Sequence, residues 1–152
     1  MDWLEKAAEN YAKIKKDQEN QKQIKEIYPE KVRELWASFK HIYDTIGSKF
    51  GNSTIFTSNL YHMESVIGDV VIRGRAKQAY KAIGYYGSVI IFIEYINSNR
   101  IGNVHFDELL LGYVNGEPAW IYRGLVDGKI SDITFEKADI ENIFKSALSI
   151  YL

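Results

Sequence analysis

The chain has 152 residues, 46% apolar and 26% charged, which fits one compact domain spanning 1–152. Its 19 basic and 20 acidic groups leave a net charge of −1, so there is no whole-chain signature of polyanion binding. Zero cysteines exclude disulfides, thiolate metal sites and cysteine nucleophiles. There is no 18-residue apolar run and no signal-peptide pattern at the start, so the expectation is a cytoplasmic chain without a membrane partner.

The first 50 residues carry helical periodicity. Trp3, Leu4, Ala7, Ala8, Tyr11 and Ile14 form one stripe at a 3.6-residue period. Residues Lys15 to Gln23 are all polar, and the apolar spacing resumes at Ile24, Ile27 and Tyr28. Pro29 then punctuates the pattern, since proline favours a first helical turn and disfavours the residue before it as helix. Val32, Leu35, Trp36, Phe39, Ile42, Tyr43 and Ile46 make a second stripe, with Gly47 and Gly51 as its stops. The expectation over 1–50 is a helical hairpin turning at Pro29. The stripe at 3–14 is expected to bury itself on the sheet or on the second helix, because packing supplies most helical stability.

From Asn52 the period changes to 2. Ile and Val together number 28 and Tyr 11, types that suit a pleated, half-buried surface. Strands are predicted over Thr54–Tyr61, Val66–Arg73, Ser88–Asn97, Asn103–Val114, Ala119–Val126 and Lys129–Thr134. The SVIIFIEYIN segment is apolar on both faces and reads as central. Ser98-Asn99-Arg100 reads as a turn, and Asn115-Gly116 and Asp127-Gly128 as tight hairpins. Residues 75–84 are compatible with helix or strand. Ile140, Ile143, Phe144, Ala147, Leu148 and Tyr151 mark a C-terminal helix over 137–151, capped by Thr134 or Asp139. The fold class is α+β: a helical hairpin and a C-terminal helix on an antiparallel sheet of five or six strands, over 52–134.

Three constellations are candidates for chemistry. Arg73, Arg75 and Lys77 are two residues apart and share one strand face, with Lys81 beyond and Tyr80, Tyr85 and Tyr86 alongside. No acidic residue lies between Val70 and Ile93. Arginine forks bind phosphate and carboxylate and aromatic rings stack on bases, so the stripe suits an acidic protein partner or nucleic acid. Neutralisation by acidic neighbours in space is the bland alternative. The pairs His62/Glu64 and His105/Asp107 have the spacing of a two-histidine, two-carboxylate metal site on adjacent strands, or of ordinary surface imidazoles. Glu94 stands on one face with Ile90, Phe92 and Ile96. With His105 and Asp107 it is a candidate pocket group; a salt bridge to Arg73 or Arg123 is the alternative.

There is no P-loop, no dinucleotide fingerprint, no nucleophile elbow and no HExxH, so no cofactor is implied. The leading expectation is a non-catalytic protein-binding module, such as a small inhibitor, an immunity or antitoxin-like protein, or a viral accessory protein, acting by surface recognition. Its tyrosines, tryptophans and arginines are the types enriched at binding hot spots. A nucleic-acid accessory protein using the basic stripe, and a small-molecule or hydrolytic domain with a cone-like pocket, are the other readings. A free sheet edge is compatible with a homodimer.

Overall fold

A computed structural model describes residues 1–51, 54–82, 84–96 and 104–152, with backbone alone for Thr54, 80–82, Val104 and His105. The predicted Ser98-Asn99-Arg100 turn lies outside the described residues.

A single helix, α1 (Asp2–Phe50), occupies the N-terminal third. It ends at Gly51, whose φ of 64° places it in the left-handed region that glycine tolerates. The expected hairpin at Pro29 is therefore corrected: the helix runs straight through the proline. An interior proline costs roughly 3 kcal/mol, whereas each large apolar side chain buried contributes about 1.5–3 kcal/mol. Ile24 and Tyr28 before the proline, and Val32, Leu35, Trp36 and Phe39 after it, are all buried. Packing on both sides outweighs the local penalty. Pro29→Ala is accordingly expected to stabilise the protein by about 2 kcal/mol, the gain in helix propensity less the extra freedom of the unfolded chain. Urea denaturation at constant slope checks this.

The sheet comprises β1 (Thr54–Ser58), β2 (His62–Ile67), β3 (Val70–Ala82), β4 (Tyr85–Tyr95), β5 (Val104–His105), β6 (Leu109–Val114), β7 (Glu117–Val126) and β8 (Lys129–Thr134). All pairings are antiparallel, in the order β1-β2-β3-β4-β6-β7-β8, with the short β5 also pairing with β4. β4 is central, as its apolar run predicts. The strand expected over Val66–Arg73 is two strands folded back at Gly68-Asp69, with Ile67 opposite Val70. The strand expected over Asn103–Val114 is interrupted at residues 106–108. The ambiguous segment 75–84 is strand through Ala82. Both predicted tight hairpins form, with positive φ at Asn115 and Gly116 and at Asp127 and Gly128.

The C-terminal helix is α2 (Lys137–Ala147), continued by a 3-10 turn over Leu148–Tyr151. Its N-cap is Glu136 rather than Thr134 or Asp139. Asp139 sits three residues later and accepts from the Glu136 backbone N–H at 2.8 Å, one half of a capping box.

Both helices pack on one face of the sheet. That face presents Met63 and Ile67 of β2, Val70, Ile72 and Ala76 of β3, Val89, Ile91 and Ile93 of β4, and Leu109 and Leu111 of β6, all buried. Phe39 and Phe144 join the helices, their centroids 6.1 Å apart. Tyr28 packs edge-on against Tyr86 (5.2 Å) and Trp120 (5.8 Å) and donates a 2.8 Å hydrogen bond to the Lys77 carbonyl.

Burial pushes the Tyr28 phenol well above its ordinary value near 10, against the pull of backbone hydrogen bonds at Ser88 and Lys77. The folded chain keeps this proton where the unfolded chain has released it. The resulting stability is complete below about pH 10 and is lost as pH rises beyond it. Tyr28→Phe should lower stability by about 1 kcal/mol at neutral pH and flatten the alkaline fall. Denaturation series between pH 8 and about 11, run on both proteins, measure that slope.

Candidate interaction surface

The hairpin of β3 and β4 lies along α1 and ends beside its residues 17–21. The Gln21 side-chain amide donates to the Tyr85 carbonyl at 2.5 Å, and Gly84 approaches Asp17. A 49-residue helix is about 74 Å long, whereas the 13 residues of β3 span about 43 Å. The helix therefore outruns the sheet, and residues 1–16 are all exposed. The expectation that the 3–14 stripe packs within its own domain is corrected for this reason: no sheet lies under it. Trp3 is 68% and Tyr11 63% exposed, with Leu4 and Ile14 exposed beside them. Exposed apolar residues are ordinary singly but not as one contiguous helical stripe.

The basic stripe lies on the outer face of the sheet, opposite the helices. Arg73, half-buried, stands between two carboxylates: Nε lies 2.9 Å from Glu94 and an Nη 3.4 Å from Glu64. The pairing follows from register, since Arg73 of β3 is opposite Glu64 of β2 and Phe92 of β4, with Glu94 on the same face. Arg75 is exposed, with its guanidinium over the Phe92 ring at 5.5 Å, and Lys77 is exposed beyond it. Neither forms an ion pair among the described residues. Of the stripe's cations described, Arg75 and Lys77 are thus left to face solvent.

The neighbouring tyrosines divide. Tyr86 is buried under α1, while Tyr85 lies on the outer face, where its hydroxyl donates to Asp132 and Arg123 sits over its ring at 5.3 Å. Burial and the Asp132 carboxylate raise the Tyr85 pKa. The side chains of Tyr80 and Lys81 lie outside the described residues; their backbone belongs to β3.

Glu94, ion-paired with Arg73, is on the outer face, and Asp107 is exposed. His105 pairs through its backbone with Phe92, and its side chain lies outside the described residues. His62 is opposite Arg75, so a cation stands where a metal site needs a ligand. Among the described residues no group of three or more His, Asp or Glu is placed to hold a metal ion.

Two further surfaces have no counterpart in the sequence pattern. A groove of about 510 Å³ runs between α1 and the start of α2, with Leu35, Trp120, Phe135 and Ile140 in its floor and Lys31 and His41 on its rim. A second hollow of about 410 Å³ continues it past His41 and Lys137. Helices more than 80 residues apart in the chain form these walls, so no local spacing announces them. At the tip of the β7–β8 hairpin, Leu125 and Ile130 are cross-strand partners and largely exposed.

The architecture defines an α+β antiparallel meander with a projecting amphipathic arm. Comparison with protein-family models, with curated proteins and with solved structures finds no match. No helix among the described residues is long and apolar enough to cross a membrane.

Proposed function

We propose that this protein is a non-catalytic protein-binding module, of the kind that inhibitors, immunity proteins and accessory proteins represent, acting by surface recognition. The observation that carries this reading is the arm: a rigid helix continuous with the core, presenting Trp3, Leu4, Tyr11 and Ile14 on one side and leaving them without cover. Large, stiff aromatic side chains lose little entropy on docking and dominate hot spots. An amphipathic helix laid against an apolar surface is a recurrent recognition mode.

The test is affinity capture with the wild type and with Trp3→Asp/Tyr11→Asp, followed by purification and calorimetric titration of any captured protein. These side chains touch nothing in the core, so the variant should keep the wild-type fold by circular dichroism. A partner that binds the wild type and binds the variant at least about 100-fold more weakly supports the reading, since a hot-spot residue contributes 2 kcal/mol or more. A partner that binds both equally overturns it for the arm. Fluorescence anisotropy with labelled DNA and RNA, at about 50 and 200 mM salt, separates the nucleic-acid reading. Binding that collapses with salt and in Arg75→Glu/Lys77→Glu would replace the protein-binding reading with that one.

A further inference from the structure

The arm's charges are not evenly spread. Its first ten residues hold Asp2, Glu5 and Glu9 against Lys6, while the next six hold Lys13, Lys15 and Lys16 and no acid. One end is acidic, the other basic, and the apolar stripe runs the whole way between them. At the middle of the stripe stand two alanines, Ala7 and Ala8. Small residues there let a second helix approach closely, while the large side chains Trp3 and Leu4 on one side and Tyr11 and Ile14 on the other flank the crossing. This arrangement complements itself when reversed.

We infer that the arm pairs with the arm of a second copy, antiparallel, crossing near Ala7-Ala8. This rests on the reading of the arm as a protein-binding surface and names its occupant. In the antiparallel arrangement Leu4 of each copy lies level with Tyr11 of the other, and the charged residues Asp2, Glu5, Glu9, Lys13 and Lys16 stay on the far side of each helix, in water. A parallel arrangement brings each residue of the stripe level with its own copy. Lys15 would flank the seam against its own copy, and Gln18 and Lys22, next along the stripe, would have to enter it. Antiparallel pairing also sets the helix dipoles favourably.

Area agrees with a dimer of modest affinity. The four large side chains expose on the order of 500 Å² of apolar surface per copy, so pairing removes on the order of 1,000 Å² from water, the lower edge of a specific interface. The contact is isologous and closes on itself, so association stops at two. Because the arm projects beyond the sheet, the two domains end up at opposite ends of the paired helices. Their grooves, basic stripes and hairpin tips remain open.

The full chain would be followed by sedimentation velocity from about 5 to 500 µM, a range suited to the weak association expected at the lower size limit of a specific interface. The expected result is a monomer–dimer equilibrium weakened at least tenfold in Trp3→Asp/Tyr11→Asp, with circular dichroism unchanged. The cysteine-free background supplies an orientation test with a short bis-maleimide. Ala7→Cys should cross-link to its mate, whereas Gln18→Cys should not, because antiparallel pairing carries the two Gln18 positions far apart. A wild type monomeric throughout, a dimer indifferent to the arm variant, or efficient cross-linking through Gln18→Cys would each overturn the inference. If the wild type is monomeric but capture of another protein still requires Trp3 and Tyr11, self-pairing falls and the binding-module reading stands. If neither depends on the arm, both fall.

Discussion

Replacing Gly87 with alanine will destabilise the protein by about 2–5 kcal/mol, a large part of the 5–15 kcal/mol that holds a domain folded. Two independent costs meet at this residue. Its φ is +81°, a region in which a side chain is strained by roughly 1–2 kcal/mol. It also lies where the register between β4 and β6 shifts, with the Tyr28 ring pressed against its backbone, so a Cβ would overlap that ring. The ring cannot retreat: it is fully buried between Tyr86 and Trp120, and its hydroxyl is tied to the Lys77 carbonyl. Overpacking of this kind adds about 1–3 kcal/mol. Urea denaturation of Gly87→Ala measures the sum. A loss below about 1 kcal/mol would mean that the bulge relaxes without strain.

Gly74→Val should destabilise by about 1–3 kcal/mol, for one reason only. Gly74 has ordinary strand φ, but an added Cβ would lie 2.6 Å from the edge of the Trp36 ring and 3.3 Å from the Met63 methyl. Trp36 is buried and its indole N–H donates to the Leu60 carbonyl at 3.2 Å, so it is held in place. The two glycines therefore respond differently to compensation. Trp36→Leu should recover most of the stability lost in Gly74→Val, measured against Trp36→Leu alone, because it opens the space. Tyr28→Ala should recover only part of the loss in Gly87→Ala, because the backbone strain remains. Double-mutant cycles read the difference directly, with coupling energies of about 0.5–3 kcal/mol expected for residues in contact. Equal recovery in the two cycles would show that sterics alone govern Gly87.

These glycines explain how one helix can lie so close to a sheet of this width. Trp36 and Tyr28 are two of the three largest buried side chains of α1, and each is received by a glycine on the strand beneath it. That alignment fixes the height of the helix above the sheet and the point at which it leaves the hairpin of β3 and β4. From that point the remaining residues toward the N-terminus have nothing to pack on. The exposed arm is thus a consequence of where the core grips the helix.

What the sequence determined alone is local. The 3.6-residue stripes mark α1 and α2, the run SVIIFIEYIN marks the central strand, and Asn115-Gly116 and Asp127-Gly128 mark two hairpins, because propensity and turn chemistry act over a few residues. The shared face of Arg73, Arg75 and Lys77 is legible for the same reason, since alternation is a property of the strand itself. What only the tertiary structure decided is how local signals are overruled or joined. Pro29 reads as a break, but the burial of Tyr28 and Val32 against distant strands outweighs it. The stripe of Trp3 and Tyr11 has the periodicity of a core face, and only the ratio of helix length to strand length leaves it in solvent. Adjacent tyrosines 85 and 86 have the same local signal, yet the sheet sends one to each face. Arg73 acquires its two carboxylates from strands on either side of it, a pairing set by register between segments that no local pattern compares. Periodicity specifies which residues share a face, and the packing of distant segments specifies what that face meets.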